Sequence, residues 1–176
     1  MDELKIMIWF FPIIFIFHDF EEIIFIQSWM RKNLRYLRER FPWISQRLFT
    51  HFENITTSSF ALGVAEEFVL IIIITVISFI SKRYILWTGM FIAFSLHLLV
   101  HCFQALIIKR YVPAIFTSVV CMPVCIYIIH NVIHLFPYSH IVIYTIISFI
   151  IIVVNLIIVH KCMDLFSKWL TEYEKL

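Results

Sequence analysis

The stretch VLIIIITVISFI, residues 69–80, decides the fold of this chain. Its β-branched residues are typical of a buried strand as well as of a helix, and periodicity does not separate the two. The stretch belongs to a longer, predominantly apolar segment, 55–80, which is long enough to cross a bilayer as a helix. In lipid a helix satisfies its own backbone hydrogen bonds, whereas a single strand does not. The segment is therefore predicted to be a transmembrane helix.

The rest of the composition extends this prediction to the whole chain. Of the 176 residues, 62% are hydrophobic and only 15% are charged, and the charges lie between apolar runs. A transmembrane helix needs roughly 20 apolar residues, and five segments qualify: about 4–26, 55–80, 85–108, 114–136 and 141–162. The N-terminus lacks the basic region of a signal peptide, so we expect the first segment to be retained as a span. We predict an all-α, polytopic transmembrane helical bundle, with residues 1–176 forming one membrane domain.

Positive charges predict the orientation of the bundle. Of the 14 Lys and Arg residues, eleven fall on one predicted side, and only Lys5, Lys82 and Arg83 fall on the other. Because cytoplasmic loops carry the excess of Lys and Arg, the N-terminus is expected outside and the C-terminus inside. We expect an integral protein of a bacterial cytoplasmic membrane. The net charge of +2 is too small to indicate a nucleic-acid partner.

The segment 27–54 between the first two spans is too polar to cross the membrane. Its arginines and aromatic residues predict a basic interfacial segment, in which a helix lies on the membrane surface with an apolar side. That side would consist of Trp29, Leu34, Leu37, Phe41 and Trp43. Membrane lipid is therefore an expected partner, although a topology signal alone also explains the arginines.

The motif HDFEE places four ionisable residues inside the first span. His18, Glu21 and Glu22 are spaced i, i+3 and i+4, so their side chains share one helix face. Asp19 points about 100° away from His18 on a regular helix. We therefore predict that His18, Glu21 and Glu22 act together and that Asp19 does not.

Two further spans carry polar residues at the same predicted depth. The second span contains Glu66 and Glu67, and adjacent residues cannot both face one direction. The third contains His97 and His101 at i, i+4, with Gln104 continuing their stripe. Because all of these residues lie in the inner or central part of their spans, we expect three helices to bring them to one level.

A metal site explains this clustering better than packing does. Four buried glutamates would cost about 10 kcal/mol on insertion scales, and a divalent cation would offset this cost. The predicted ligands are His18, Glu21, Glu22, Glu66, Glu67, His97 and His101. Mixed imidazole and carboxylate ligation suits Zn, Fe or Mn, with Zn favoured, and the set is large enough for one or two ions. A proton or ion pathway and purely structural pairing are the alternatives.

The motifs resemble those of the HXXEE domain family of small integral membrane proteins. The resemblance rests on His18-Asp-Phe-Glu21-Glu22, the pair after FALGVA, the stretch HLLVHCFQA and the stretch KRYVPAIFTSVVCMP. The last is similar to a family pattern Arg-Tyr-x-Pro-Gly-x-x-Thr, from which this chain departs at Ala114. The resemblance implies metal binding and an enzymatic activity, without naming a reaction.

Three classes of function are compatible with these residues. The favoured one is a metal-dependent, hydrolase-like membrane enzyme acting on a lipid or another amphipathic substrate at the inner leaflet, with a di-iron oxidoreductase as a variant. Glu22 or Glu67 would be its catalytic general base, and Gln104, Arg110 and Tyr111 would bind substrate. A cation or proton transporter is the second class. A metal-free isomerase or ligand-binding membrane protein is the third.

Overall fold

The computed structural model describes residues 2–44 and 55–175, and within them the chain is helical without any strand. The elements are α1 (Asp2–Arg40), α2 (Thr57–Ser81), α3 (Ile85–Ile108), α4 (Ile115–Val132), a 3₁₀ turn (Ile133–Leu135) and α5 (Tyr138–Tyr173). The predicted all-α bundle is therefore confirmed.

Among the described residues, four helices are long and apolar enough to cross a membrane: α2, α3, α4 with its 3₁₀ turn, and α5. The bounds of α3 are those predicted, whereas α5 is longer than the predicted 141–162. Helix α1 does not belong to this group, because Asp19, Glu21 and Glu22 lie in its apolar half. The crossing of α1, and the orientation of the termini, stay predictions.

Aromatic contacts show the direction in which the first three helices run. The ring of Phe11 packs against Phe91 at a centroid distance of 5.3 Å, and the ring of His18 packs against His101 at 5.1 Å. Helices α1 and α3 therefore run parallel. Helix α2 runs antiparallel to α1, because Trp9 lies against Phe79 whereas Phe15 lies against Phe68. These are the relative directions that three successive crossings require.

Helix α1 does not end near residue 26, where the apolar segment ends. It continues as one helix to Arg40, so the first half of the predicted interfacial segment is an extension of α1. The hydroxyl of Tyr36 donates a hydrogen bond of 2.9 Å to the carbonyl of Ile108 at the end of α3.

The residues predicted to form the apolar side of this segment are partly buried in the protein and partly exposed. Leu34 and Leu37 are buried together with Met30, whereas Trp43 is 76% exposed. The remainder of the segment, residues 45–54 with Arg47 and His51, lies outside the described residues.

Both glycines of the chain lie where another helix approaches α5. A Cβ atom at Gly89 would stand 2.6 Å from the carbonyl oxygen of Tyr144, and one at Gly63 would stand 2.8 Å from the sulfur of Met163. Close approach of two helices in lipid depends on small residues at the crossing. Helices α2 and α3 are therefore held against α5 at these two points.

Ala114 lies in the turn between α3 and α4, at the position where the resemblance predicts glycine. Ala114 caps α4 with φ 69° and ψ 1°, which is the left-handed region. Glycine adopts this conformation without strain, whereas an L-residue with a Cβ is strained there by roughly 1–2 kcal/mol. The position thus favours glycine, although this chain has alanine there.

Candidate metal centre

Four side chains meet between α1 and α3; His18 and His101 are buried, Glu22 is half-buried and His97 is exposed. One potential ligand atom from each of His18, Glu22, His97 and His101 lies within 4.8 Å of the others. Nε2 of His101 is 3.0 Å from Nε2 of His97 and 3.1 Å from Oε1 of Glu22. We call these four residues the His/Glu cluster, and it can hold a metal ion.

The sequence builds this cluster from two matching spacings. His18 and Glu22 are one turn apart on α1, and His97 and His101 are one turn apart on α3. Because α1 and α3 run parallel, His18 lies beside His97, and Glu22, one turn later, lies beside His101. The ring centroids of His97 and His101 are 4.5 Å apart, and that of His18 lies 5.5 Å from His97.

The orientation of His18 makes one of its nitrogens available to an ion. His18 is fully buried, and its Nδ1 lies 3.3 Å from the hydroxyl oxygen of Thr117 on α4. Its Nε2 has no hydrogen-bond partner within the part of the chain that the structure describes. A buried polar atom without a partner is costly, and a coordinated cation would remove that cost. The cluster therefore fits a metal ion by its donor types and by this unpaired nitrogen.

Glu21 lies outside the His/Glu cluster, although the sequence places it among the ligands. Its Oε2 accepts hydrogen bonds from the backbone N–H and the hydroxyl of Thr117, at 2.8 and 2.7 Å. Its Oε1 accepts one of 2.6 Å from the hydroxyl of Tyr111 and one of 3.4 Å from the N–H of Phe116. The carboxylate thus caps the N-terminus of α4, where the first N–H groups lack partners and the helix dipole favours negative charge.

Glu21 and Thr117 together determine which nitrogen of His18 faces the cluster. The Thr117 hydroxyl has its shortest hydrogen bond to Glu21, so its oxygen is left to accept the Nδ1–H of His18. The lone pair of the imidazole is then on Nε2. Partners of this kind orient the ligands of many metal sites.

Tyr111 stabilises the same arrangement from the loop between α3 and α4. Burial and its hydrogen bond to Glu21 raise the pKa of the Tyr111 phenol. The phenol therefore keeps its proton at neutral pH and remains a donor to the carboxylate.

The adjacent glutamates of α2 cannot both face the site, and their surroundings differ. Glu66 is exposed and accepts a hydrogen bond of 2.9 Å from the amide of Asn155 on α5. Glu67 is half-buried and lines a cavity that His97 also lines. Neither belongs to the His/Glu cluster, but Glu67 faces the same region of the bundle.

Asp19 lies outside the His/Glu cluster, as its spacing predicts, but its side chain is buried. It is only 5% exposed, and its Oδ2 has no partner in the described residues. It lines the same cavity as Glu67 and His97. The side of α1 that carries Asp19 is covered by protein, because α2 packs there. An acidic residue inside an apolar run is itself the signal that could have identified it.

Two apolar cavities open on the cluster from different directions. One of about 410 Å³ is lined by Glu22, His101 and Gln104 together with apolar residues of α1, α2, α3 and the segments that follow α1 and α3. The other, of about 240 Å³, is lined by Asp19, Glu67, His97 and Asn155 among apolar residues of α1, α2, α3 and α5. Arg110 and Tyr111 line neither of these; they line a separate cavity at the end of α3.

A comparison with protein families agrees with the motif at the centre of this site. The family described as "protein of unknown function with HXXEE motif" matches residues 9–128. The chain belongs to this family. No curated protein and no solved structure matches the chain significantly. In this HXXEE protein the motif has two structural roles: His18 and Glu22 lie in the His/Glu cluster, whereas Glu21 caps α4.

Proposed function

We propose that this HXXEE protein is a metal-dependent integral membrane enzyme, hydrolase-like, that acts on a lipid or another amphipathic molecule at the inner leaflet. The observation that carries the proposal is the opening of the His/Glu cluster into an apolar cavity. Glu22 and His101 belong to the cluster and also line the cavity of about 410 Å³. A reactive group bound there would meet the polar end of an otherwise apolar chamber.

The donor set supports one divalent ion held by His18, Glu22, His97 and His101. Three imidazoles and one carboxylate are ligands that zinc accepts, with iron or manganese as the other candidates. A divalent ion in this position supplies Lewis-acid chemistry toward an ester, amide or phosphoryl group.

The surrounding residues are assigned to binding and to proton transfer. Glu67 lines the smaller cavity beside His97 but lies outside the cluster, so its carboxylate remains available as the general base. Gln104 lines the larger cavity one turn beyond His101, where its amide orients the polar group of the substrate. The apolar lining, which includes Ile26, Met30 and Phe60, accommodates the hydrocarbon part.

Packing on the far side of the cluster favours an enzyme over a transporter. Ile8, Phe11, Trp87 and Phe91 are each no more than 1% exposed and fill the other end of the α1–α3 interface. Such packing supports a site that opens toward one end, whereas a transporter needs a path to both sides.

The proposal is tested with the purified chain in detergent, assayed against amphipathic esters, amides and phosphoesters with and without a chelator. We expect turnover of one class, its loss on chelation and its recovery on addition of Zn²⁺, Fe²⁺ or Mn²⁺. Glu67→Gln should abolish turnover without loss of metal, whereas the neighbouring Glu66→Gln should retain both turnover and bound metal. Turnover that survives chelation would instead identify a metal-free isomerase or a related enzyme, and contradict the proposal.

A further inference from the structure

A separate cavity at the end of α3 combines positive charge with exposed aromatic rings. It has a volume of about 570 Å³ and lies between the extension of α1 and the loop after α3. Its lining residues are Phe25, Ser28, Trp29, Lys32, Asn33, Arg110 and Tyr111. None of these residues is acidic, so nothing in the described lining opposes the two cations.

Arg110 is held in place before any ligand binds. One of its terminal N–H groups donates to Oδ1 of Asn33 at 3.0 Å, and its guanidinium carbon lies 3.8 Å from the ring centroid of Tyr36. Asn33 is 5% exposed and donates in turn to the carbonyl of Trp29. The remaining guanidinium donors suit an oxyanion, and a cation that is already ordered loses little entropy on binding one.

The surroundings of the cavity point to a lipid as the source of that anion. Phe25 and Tyr111 pack edge to face with centroids 6.0 Å apart, and both rings are exposed. An exposed apolar stripe runs along α1 through Phe17, Phe20 and Ile24, which are 47%, 53% and 62% exposed, and it leads to Ser28 in the cavity lining. An acyl chain can lie along this stripe while its headgroup reaches the cavity. Free phosphate would use the cations but not the stripe.

We propose that this cavity binds the phosphate group of an anionic lipid. Arg110 contacts two phosphate oxygens through its planar fork, and Lys32 contributes a second positive charge. Basic pockets beside membrane helices recognise anionic headgroups in this way. The proposal concerns a site distinct from the His/Glu cluster, and it holds whether or not the chain is a metal-dependent enzyme.

Native mass spectrometry of the full chain in a neutral detergent tests the proposal. The probes are dioctanoyl phosphatidic acid, dioctanoyl glycerol with the same acyl chains but no phosphate, and inorganic phosphate. We expect one equivalent of phosphatidic acid to bind, and the other two probes to bind at least tenfold more weakly. Arg110→Gln and Lys32→Gln should each weaken phosphatidic acid binding about tenfold or more, because each removes a charged hydrogen-bond donor.

Arg31→Gln is the matched control, because Arg31 is an exposed neighbour of Lys32 that does not line the cavity. It should leave binding unchanged. Equal losses in all three variants would show a non-specific charge effect and overturn the proposal. If dioctanoyl glycerol bound as tightly as phosphatidic acid, the site would not recognise phosphate, and the proposal would be wrong. If inorganic phosphate bound as tightly, the site would not recognise a lipid, and the proposal would be wrong as well. If Arg110→Gln does not fold, the comparison of phosphatidic acid binding by Lys32→Gln and Arg31→Gln tests the proposal.

Discussion

Glu21 of α1 accepts hydrogen bonds from both the backbone N–H and the hydroxyl of Thr117, at 2.8 and 2.7 Å. This pair joins the N-terminus of α4 to the helix that carries His18. The first glutamate of the motif thereby orients a ligand of the cluster without lying in the cluster itself.

Removal of the Thr117 hydroxyl should weaken metal binding while the ligands remain. Thr117→Val keeps the size of the side chain but leaves Nδ1 of His18 without its acceptor. We expect about 10- to 100-fold weaker metal affinity, the usual effect of losing a group that orients a ligand, measured by competition with a chromogenic chelator.

Ser118→Ala is the control for this variant. Its hydroxyl is buried next to Thr117 and has no partner in the described residues, so metal affinity should not change. Equal affinity of Thr117→Val and the wild type would show that the Glu21–Thr117 pair does not orient His18.

The left-handed turn at Ala114 should accept glycine and reject a β-branched residue. In Ala114→Gly, relief of roughly 1–2 kcal/mol of strain is offset by a more flexible unfolded chain and the loss of one buried methyl group. The free energy of unfolding should thus change by less than about 1 kcal/mol. Ala114→Val should lower it by about 2–4 kcal/mol, because a larger strained side chain enters a fully buried site. Denaturant titration in detergent measures both, and similar values for Gly and Val would contradict the assigned backbone conformation.

The two glycines against α5 should differ in their tolerance of alanine. Gly89→Ala places a methyl group against the backbone carbonyl of Tyr144, which cannot move without shifting α5, so we expect a loss of about 1–3 kcal/mol. Gly63→Ala meets the side chains of Met163 and Val159, and a methionine adapts readily. Thermal unfolding in detergent should rank Gly89→Ala as the less stable variant; the reverse order would argue against this packing.

The orientation of the bundle is tested by labelling single cysteines in intact cells. In a chain whose four own cysteines are replaced, Lys82→Cys should react with a membrane-impermeant maleimide directly. Lys168→Cys should react only after permeabilisation, because it lies on the predicted inner side. The opposite pattern would reverse the predicted orientation.

Part of the site can be predicted from the spacing of residues within one helix. The rest depends on contacts with other helices, which that spacing does not determine. The pairs His18/Glu22 and His97/His101 are predictable because residues one turn apart share a helix face. The cap role of Glu21 depends on where the N-terminus of α4 lies, which no spacing within α1 contains.

The same limit applies to the acidic residues near the cluster. Glu66 accepts a hydrogen bond from Asn155 of α5, whereas Glu67 lines the cavity beside His97, and both contacts come from other helices. Asp19 is buried because α2 packs against its side of α1, a contact that no spacing within α1 contains. The long extension of α1 is likewise stabilised from outside, by the carbonyl of Ile108 and the side chains near it.

The measurement that tests the central claim most directly is elemental analysis of the purified chain. We predict one divalent ion per chain in the wild type, and less than a tenth of that amount in His97→Ala and His101→Ala. His130→Ala is the matched control, because His130 and His134 also form an i, i+4 pair with ring contact but lie outside the cluster; it should keep its metal. A wild type without stoichiometric metal, or full retention in both cluster variants, would contradict the assignment of a metal centre.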